Sequence, residues 1–258
     1  MILLAVAFLV TALLYSTAGF GGGSTYNALL VLSGADYRAV PVIALVCNIL
    51  VVALGSWRFA KADAVPWRRI WPMFAASVPL AWLGGRIEVP KLVFIGLLAV
   101  SLIVAGLAML WRAPPDNVFA DSDSPEPRAG WREPVIGGAL GFLAGITGIG
   151  GGIFLAPILH LIRWGKARDI AGTAAGFILV NSIAGIFGQL AKSDGFDRLA
   201  ALSANALLFP AVIVGGLIGS AIGATRLSPR ALSIATAILI LYVGGQLAYR
   251  FVMMMQPA

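Results

Sequence analysis

Twice in this chain a glycine-rich break interrupts a long apolar stretch, at Ala18-Gly19-Phe20-Gly21-Gly22-Gly23 and at Thr147-Gly148-Ile149-Gly150-Gly151-Gly152. Consecutive glycines lose the most backbone freedom on ordering, so they interrupt a helix rather than continue it. Inside a membrane, non-helical backbone is tolerated only where it is buried in protein or lines a cavity. A pair of such breaks at corresponding positions is therefore the mark of an internally repeated transporter with its binding site between the repeats.

Composition agrees that the medium is lipid. Of the 258 residues, 60% are hydrophobic and 11% charged, with a mean hydropathy of +0.94, whereas soluble domains run nearer a quarter charged. The apolar runs fit helices crossing a hydrocarbon core of roughly 30 Å, not the alternating strands of a barrel. A net charge of +7 does not point to nucleic acid, because Lys and Arg are scattered at the ends of apolar runs with no basic face. Anchoring and topology account for them, as they do for Trp57, Trp67, Trp71, Trp111, Trp131 and Trp164 beside polar loops; Trp82 is the exception. The single cysteine, Cys47, excludes an internal disulfide.

Apolar segments fall at roughly 2–34, 38–57, 70–86, 92–111, 135–162, 170–190, 203–224 and 231–250. The hydrophilic, proline-bearing stretch 112–133 separates four from four. This divides the chain into a first repeat (1–111), a polar linker (112–133) and a second repeat (134–258). Asn48 and Asn181 fall mid-way along the second segment of each half, and related turns after Arg86 and Arg226 close the third segments. The N-terminal apolar run lacks a positive n-region and ends at the first glycine break, so it is expected to be part of the fold rather than a cleaved signal.

A continuous helix over 2–34 would be about 50 Å long, too long for the bilayer without severe tilt. If segments one and five instead turn back as hairpins, the positive charges divide clearly. One side then holds Arg58, Lys61, Arg68, Arg69, Arg112, Arg128, Arg132, Arg163, Lys166, Arg168, Arg226 and Arg230. The other holds Arg38, Arg86, Lys91, Lys192, Arg198 and Arg250. The first side is then cytoplasmic, with the linker there and both termini outside. Three crossings separate the hairpins, which inverts one repeat relative to the other. The fold class expected is an all-α polytopic membrane protein of two inverted repeats, each a glycine-broken hairpin followed by three transmembrane helices. The returning arms would begin at Gly23-Ser24 and Gly152-Ile153 near the midplane, each presenting unpaired N–H groups and a positive dipole end. Two such ends aimed at one cavity make an anion site without a buried lysine.

With these features in view, the chain resembles the sulfite exporter TauE/SafE family. The resemblance rests on Gly145-Ile146-Thr147-Gly148-Ile149-Gly150-Gly151-Gly152-Ile153-Phe154-Leu155-Ala156-Pro157, on Ile170-Ala171-Gly172-Thr173-Ala174, and on the repeated layout. The first half departs from the pattern: Asn27-Ala28 stands for Ala156-Pro157, and Pro41-Val42 stands where a pair like Gly172-Thr173 is expected. The resemblance implies export or exchange of small sulfur-containing anions such as sulfite, sulfoacetate or thiosulfate across the bacterial inner membrane. No cofactor or nucleic acid is expected, nor a metal site, since His160 has no second histidine or paired carboxylate to join it; membrane lipid is the surrounding partner and a homo-oligomer is left open.

Most membrane glycines serve packing. Gly137, Gly141 and Gly145, and likewise Gly215, Gly219 and Gly223, recur every four residues in the small-xxx-small pattern of close helix approach. The triple glycines suit a broken backbone better. The substrate-site candidates are Gly21, Gly22, Gly23, Ser24, Thr25, Asn48, Thr147, Gly150, Gly151, Gly152, Thr173 and Asn181. Against the binding reading, Asn48 and Asn181 can act as interhelical glue, and the hydroxyls can cap helices or bond to the preceding turn. No phosphate-binding loop for ATP occurs, and no nucleophile, base and orienting group can be assembled, so an enzyme is not expected. The reading is a secondary transporter or facilitator; the alternatives are an anion channel or a non-transporting membrane accessory protein.

Overall fold

The computed structural model describes residues 1–17, 19–61, 65–111, 130–162, 164, 165, 167–193, 195–223 and 229–256. Most of the linker expected at 112–133 lies outside the described residues. The regular elements among those described are all helices: α1 (Ile2–Thr17), α2 (Gly23–Leu32), α3 (Val40–Lys61), α4 (Trp67–Arg86), α5 (Lys91–Trp111), α6 (Arg132–Thr147), α7 (Gly152–Leu161), α8 (Ala167–Leu190), α9 (Gly195–Ala204), α10 (Leu208–Gly223) and α11 (Pro229–Met255). Among the described residues, four stretches are long and apolar enough to cross a membrane: Val40–Lys61, Lys91–Trp111, Asp169–Leu190 and Ile234–Met255. A fifth is added if α9 and α10 count as one span.

Both glycine clusters interrupt helices, and the interruption is specific. α1 closes in a Schellman turn: Phe20 N–H donates to the Tyr15 carbonyl (2.9 Å) and Gly19 N–H to that of Ser16 (3.2 Å), with Gly19 left-handed at φ 80°. α6 ends in the simpler left-handed cap, Gly148 N–H on the Ala144 carbonyl at 2.8 Å. After each break the chain re-enters a helix through another left-handed glycine, Gly22 at φ 83° and Gly151 at φ 79°.

α4 packs against α6 and α8, α1 against α10, α5 against α11, and α3 against α8 and α10. Glycine permits the closest of these approaches. A Cβ on Gly137, Gly141 or Gly145 would run into the α4 backbone at Met73, Ser77 or Ala81, and one on Gly215 or Gly219 into the α1 backbone at Leu9 or Leu13. The four-residue glycine ridges are thus helix-packing seams. The interior comprises a large apolar cluster around Phe8, Tyr26, Ile43, Phe94 and Leu98, and a smaller one around Met73, Leu155, Trp164 and Phe177. Large apolar side chains also line the outside, among them Val100, Val104, Leu217, Ile238 and Tyr242, as expected of helices whose solvent is lipid.

Two local expectations are corrected. The stretch 203–224, read as one segment, is divided: Asp197–Ala204 and Leu208–Ala221 meet at 68°. Asn205 makes the division possible, because its side-chain amide donates to the Ala201 carbonyl (2.9 Å) while its own N–H reaches Leu202 (3.1 Å), covering carbonyls left open at the end of α9. Trp164, read as an interfacial indole, is only 2% exposed. Its ring lies under the Arg69 guanidinium at 3.9 Å, and its Nε1 donates to Glu133 Oε1 at 3.3 Å. The cluster ties the starts of α4 and α6 to the chain leaving α7.

The α4–α6 seam predicts a graded result. Gly141→Leu places a side chain against the Ser77 backbone and should destabilise the fold by about 1–3 kcal/mol. Gly55→Ala, where an added Cβ meets nothing within 4 Å, should stay within about 0.5 kcal/mol. Thermal unfolding in detergent followed by size-exclusion chromatography reads the difference.

Candidate functional site

Where each helix restarts, its N-cap is a glycine with no side-chain hydrogen bond to offer: Gly22 before α2 and Gly151 before α7. The first-turn N–H groups, beginning at Gly23 and at Gly152, therefore have no side-chain cap, and the positive end of each helix dipole lies in the interior. Gly21 to Thr25 and Thr147 to Gly152 are all buried, and Phe20 and Ile146 just before them are partly covered.

One side chain joins the two breaks. Asn48, buried in the middle of α3, donates from Nδ2 to the Ile149 carbonyl at 3.1 Å. A Cβ added to Gly21 or Gly23 would collide with the same amide, and one on Gly150 would sit 2.9 Å from Asn48 Nδ2. Gly21, Gly23, Asn48 and Gly150 are thus brought together, and here the glycines are required by lack of room. Ser182 Oγ completes the group, 3.1 Å from the Cβ position of Gly150.

The remaining predicted residues divide. Gly22 packs against Tyr26 and Thr11, Gly151 against Phe177 and Ala144, and Gly152 against Ile178, so their service is to the turn and to packing. Ser24 and Thr25 share hydrogen bonds with the Tyr15 hydroxyl, at 3.2 and 2.8 Å, which fastens α2 to α1. Thr147 donates back to the Leu143 carbonyl at 2.7 Å. Asn181 donates to the Phe177 carbonyl in its own helix at 2.8 Å, and no contact between it and either break matches that of Asn48. Thr173 is buried on the same helix.

Several buried polar atoms have no hydrogen-bond partner: Asn48 Oδ1, Asn181 Oδ1, Thr173 Oγ1, Ser182 Oγ, and both amide atoms of Asn27. An unmade hydrogen bond of this kind costs about 1–3 kcal/mol. Asn27 was not among the residues chosen from sequence. It lies one turn beyond Gly23 on the same face of α2, and the rule that singled out Asn48, an amide within an apolar run, would have found it.

The model of the family described as Sulfite exporter TauE/SafE matches residues 3–247. The chain belongs to the Sulfite exporter TauE/SafE family. It is a multi-pass membrane transport protein, as that family and its apolar helices together require. It is 34% identical over 248 residues to a probable membrane transporter protein, y4hK, of Sinorhizobium fredii, covering 95% of this chain and 97% of that protein. A probable membrane transporter protein of Methanocaldococcus jannaschii, MJ0441, is 28% identical over 206 residues, covering 76% and 74% of the two chains. No solved structure matches. For this TauE/SafE protein the match takes in both breaks, α3 and α8.

Asn48 and Asn181 should behave differently on removal. Asn48→Ala loses the bond that holds the Ile149 carbonyl of the second break, whereas Asn181→Ala loses one within a helix. Asn48→Ala should be the more destabilising by about 1 kcal/mol in denaturant titration of the detergent-solubilised protein.

Proposed function

We propose that the protein is a secondary transporter or facilitator that moves a small sulfur-containing oxyanion or organosulfonate, such as sulfite or sulfoacetate, through a site between two inverted repeats. The observation that carries this is the Asn48 amide touching both glycine breaks, so that two uncapped helix N-termini open within a side chain's width of each other. Such termini attract anions through N–H groups and dipole without the cost of burying a lysine. The unpartnered atoms of Asn27, Asn48, Asn181, Thr173 and Ser182 supply amides and hydroxyls to complete the coordination.

The inverted-repeat reading draws support from the helix pairings. Exchange of the two halves turns the α1–α10 contact into α6–α4, α2–α3 into α7–α8, and α2–α11 into α7–α5, while α3–α8 and α5–α11 map onto themselves. The charge division puts Arg58 and Arg69 on the cytoplasmic side and Arg38, Lys192 and Arg198 outside. In this reading the membrane is the bacterial inner membrane and both termini face outward. An anion leaving an inside-negative cell gains about 2.3 kcal/mol per charge per 100 mV, so export can run on voltage and the solute's own gradient.

Reconstitution into liposomes tests the proposal with labelled sulfite, sulfoacetate and thiosulfate under an imposed potential. Saturable flux with counter-exchange is expected, and Gly23→Ala, which drives a methyl into the Asn48 amide, should reduce it at least tenfold. Absence of flux for every anion would overturn the reading in favour of an accessory role; flux without saturation or exchange would mean a channel.

A further inference from the structure

The two ends of the Asn48 amide are used differently. Its Nδ2 donates to the Ile149 carbonyl at 3.1 Å. A carbonyl can only accept, so this bond fixes which end of the amide is nitrogen and which is oxygen. The oxygen faces the first break, where it is the nearest atom to a Cβ placed on Gly21 and lies 2.8 Å from one placed on Gly23. Asn48 is 0% exposed, and its Oδ1 has no hydrogen-bond partner. Beside it the first turn of α2 opens with no side-chain cap. A buried acceptor thus stands among uncapped backbone donors.

The second break has a similar acceptor. Asn181 Nδ2 donates to the Phe177 carbonyl at 2.8 Å, so its unpaired atom is again the oxygen. Asn181 follows Phe177 and Ile178 by four and three residues, and those side chains meet Gly151 and Gly152, so it lies on the face of α8 that packs on the second break.

These groups set two requirements on a bound anion. The first is charge. Each helix N-terminus is equivalent to about half a positive elementary charge, so two together match one negative charge. The atoms nearest the break glycines all come from uncharged residues, so a second negative charge would be buried without a partner. The other requirement is a proton. Backbone N–H groups bond the oxygens of an oxyanion, but an amide oxygen cannot, because a fully deprotonated oxyanion presents only lone pairs to it.

We propose that the site selects monoanions carrying a hydrogen-bond donor beside the oxyanion head, an O–H or N–H that Asn48 Oδ1 accepts while the first-turn N–H groups hold the oxygens. The proposal rests on the anion reading of the breaks given above and makes Asn48 a specificity determinant. A site built to bond an O–H or N–H rejects the analogue without one, because its own polar atom is left unpaired. Among the anions named above, singly protonated sulfite is favoured over sulfoacetate and thiosulfate, which at neutral pH are dianions with no donor.

Sulfamate and methanesulfonate test this, being monoanions of nearly the same shape that differ in an NH₂ or a CH₃ on the sulfur. In calorimetric titration of the full-length protein in detergent, sulfamate should bind at least about tenfold more tightly than methanesulfonate, the effect of one buried hydrogen bond. Asn48→Ala should bring sulfamate down to the level of methanesulfonate. Thr236→Val removes an equally buried, unpartnered hydroxyl from α11 and should leave both affinities unchanged. If Asn48→Ala does not fold, N-methylsulfamate against ethanesulfonate repeats the comparison in the parent protein, with the same preference expected. Equal affinity within each pair, no binding of sulfamate, or a preference that survives Asn48→Ala overturns the proposal. Flux into liposomes separates this outcome from failure of the transport reading. Saturable flux of methanesulfonate equal to that of sulfamate would overturn donor selection and leave transport standing. Sulfamate binding that depends on Asn48, with no flux of any anion, would leave donor selection standing and overturn transport.

Discussion

Two helices that stop and restart inside an apolar bundle must have their freed backbone groups satisfied, and Asn48 answers much of that demand. Its amide bonds the Ile149 carbonyl in the second break and fills the space that side chains at Gly21, Gly23 and Gly150 would need. The requirement runs both ways. Without glycine at these positions the amide has no room; without the amide the buried Ile149 carbonyl loses this bond, at about 1–3 kcal/mol. The position of α3, and of α8 packed on it, follows from this mutual need.

The rest of the bundle positions that contact. Glycine ridges let α6 press on α4 and α10 on α1 at backbone distance, so the arms before each break are held by the opposite half of the chain. The arms after each break are held differently. α2 is fastened to α1 through the Tyr15 hydroxyl and the Phe8–Tyr26 stack at 4.6 Å, whereas α7 rests on α8 and α5 through apolar contacts and carries Pro157. The two arms are thus held by unlike means.

Much of this was legible in the sequence because it depends on local chemistry. Consecutive glycines break helices whatever surrounds them, and four-residue glycine spacing marks a packing face, so the breaks and the seams could be read directly. The division of 203–224 could not: Asn205 is a single polar residue in an apolar run, and its effect depends on the Ala201 carbonyl one turn back. Nor could the burial of Trp164, which requires Arg69 and Glu133, distant in sequence, to meet over its ring. Among the candidate residues, Asn48 is legible in the sequence as an amide in an apolar helix, but its contact with both breaks is not. Ser24, Thr25 and Thr147 were chosen by residue type, and type alone does not reveal that their hydroxyls are already engaged.

The two halves therefore divide the labour unequally. The side chain that bridges both breaks comes from the first half of the chain, whereas Asn181 in the second half bonds within its own helix. The second half instead carries Gln189, which donates to the Gly145 carbonyl and accepts from Lys192 and Arg198. Any motion that withdraws Lys192 or Arg198 from Gln189 loosens a residue that also holds the turn before Gly148, while Asn48 holds the turn after it. A symmetric pair of breaks would open and close alike. This pair is held by Asn48 from one half of the chain and by Gln189 from the other, through bonds to different backbone carbonyls around the second break.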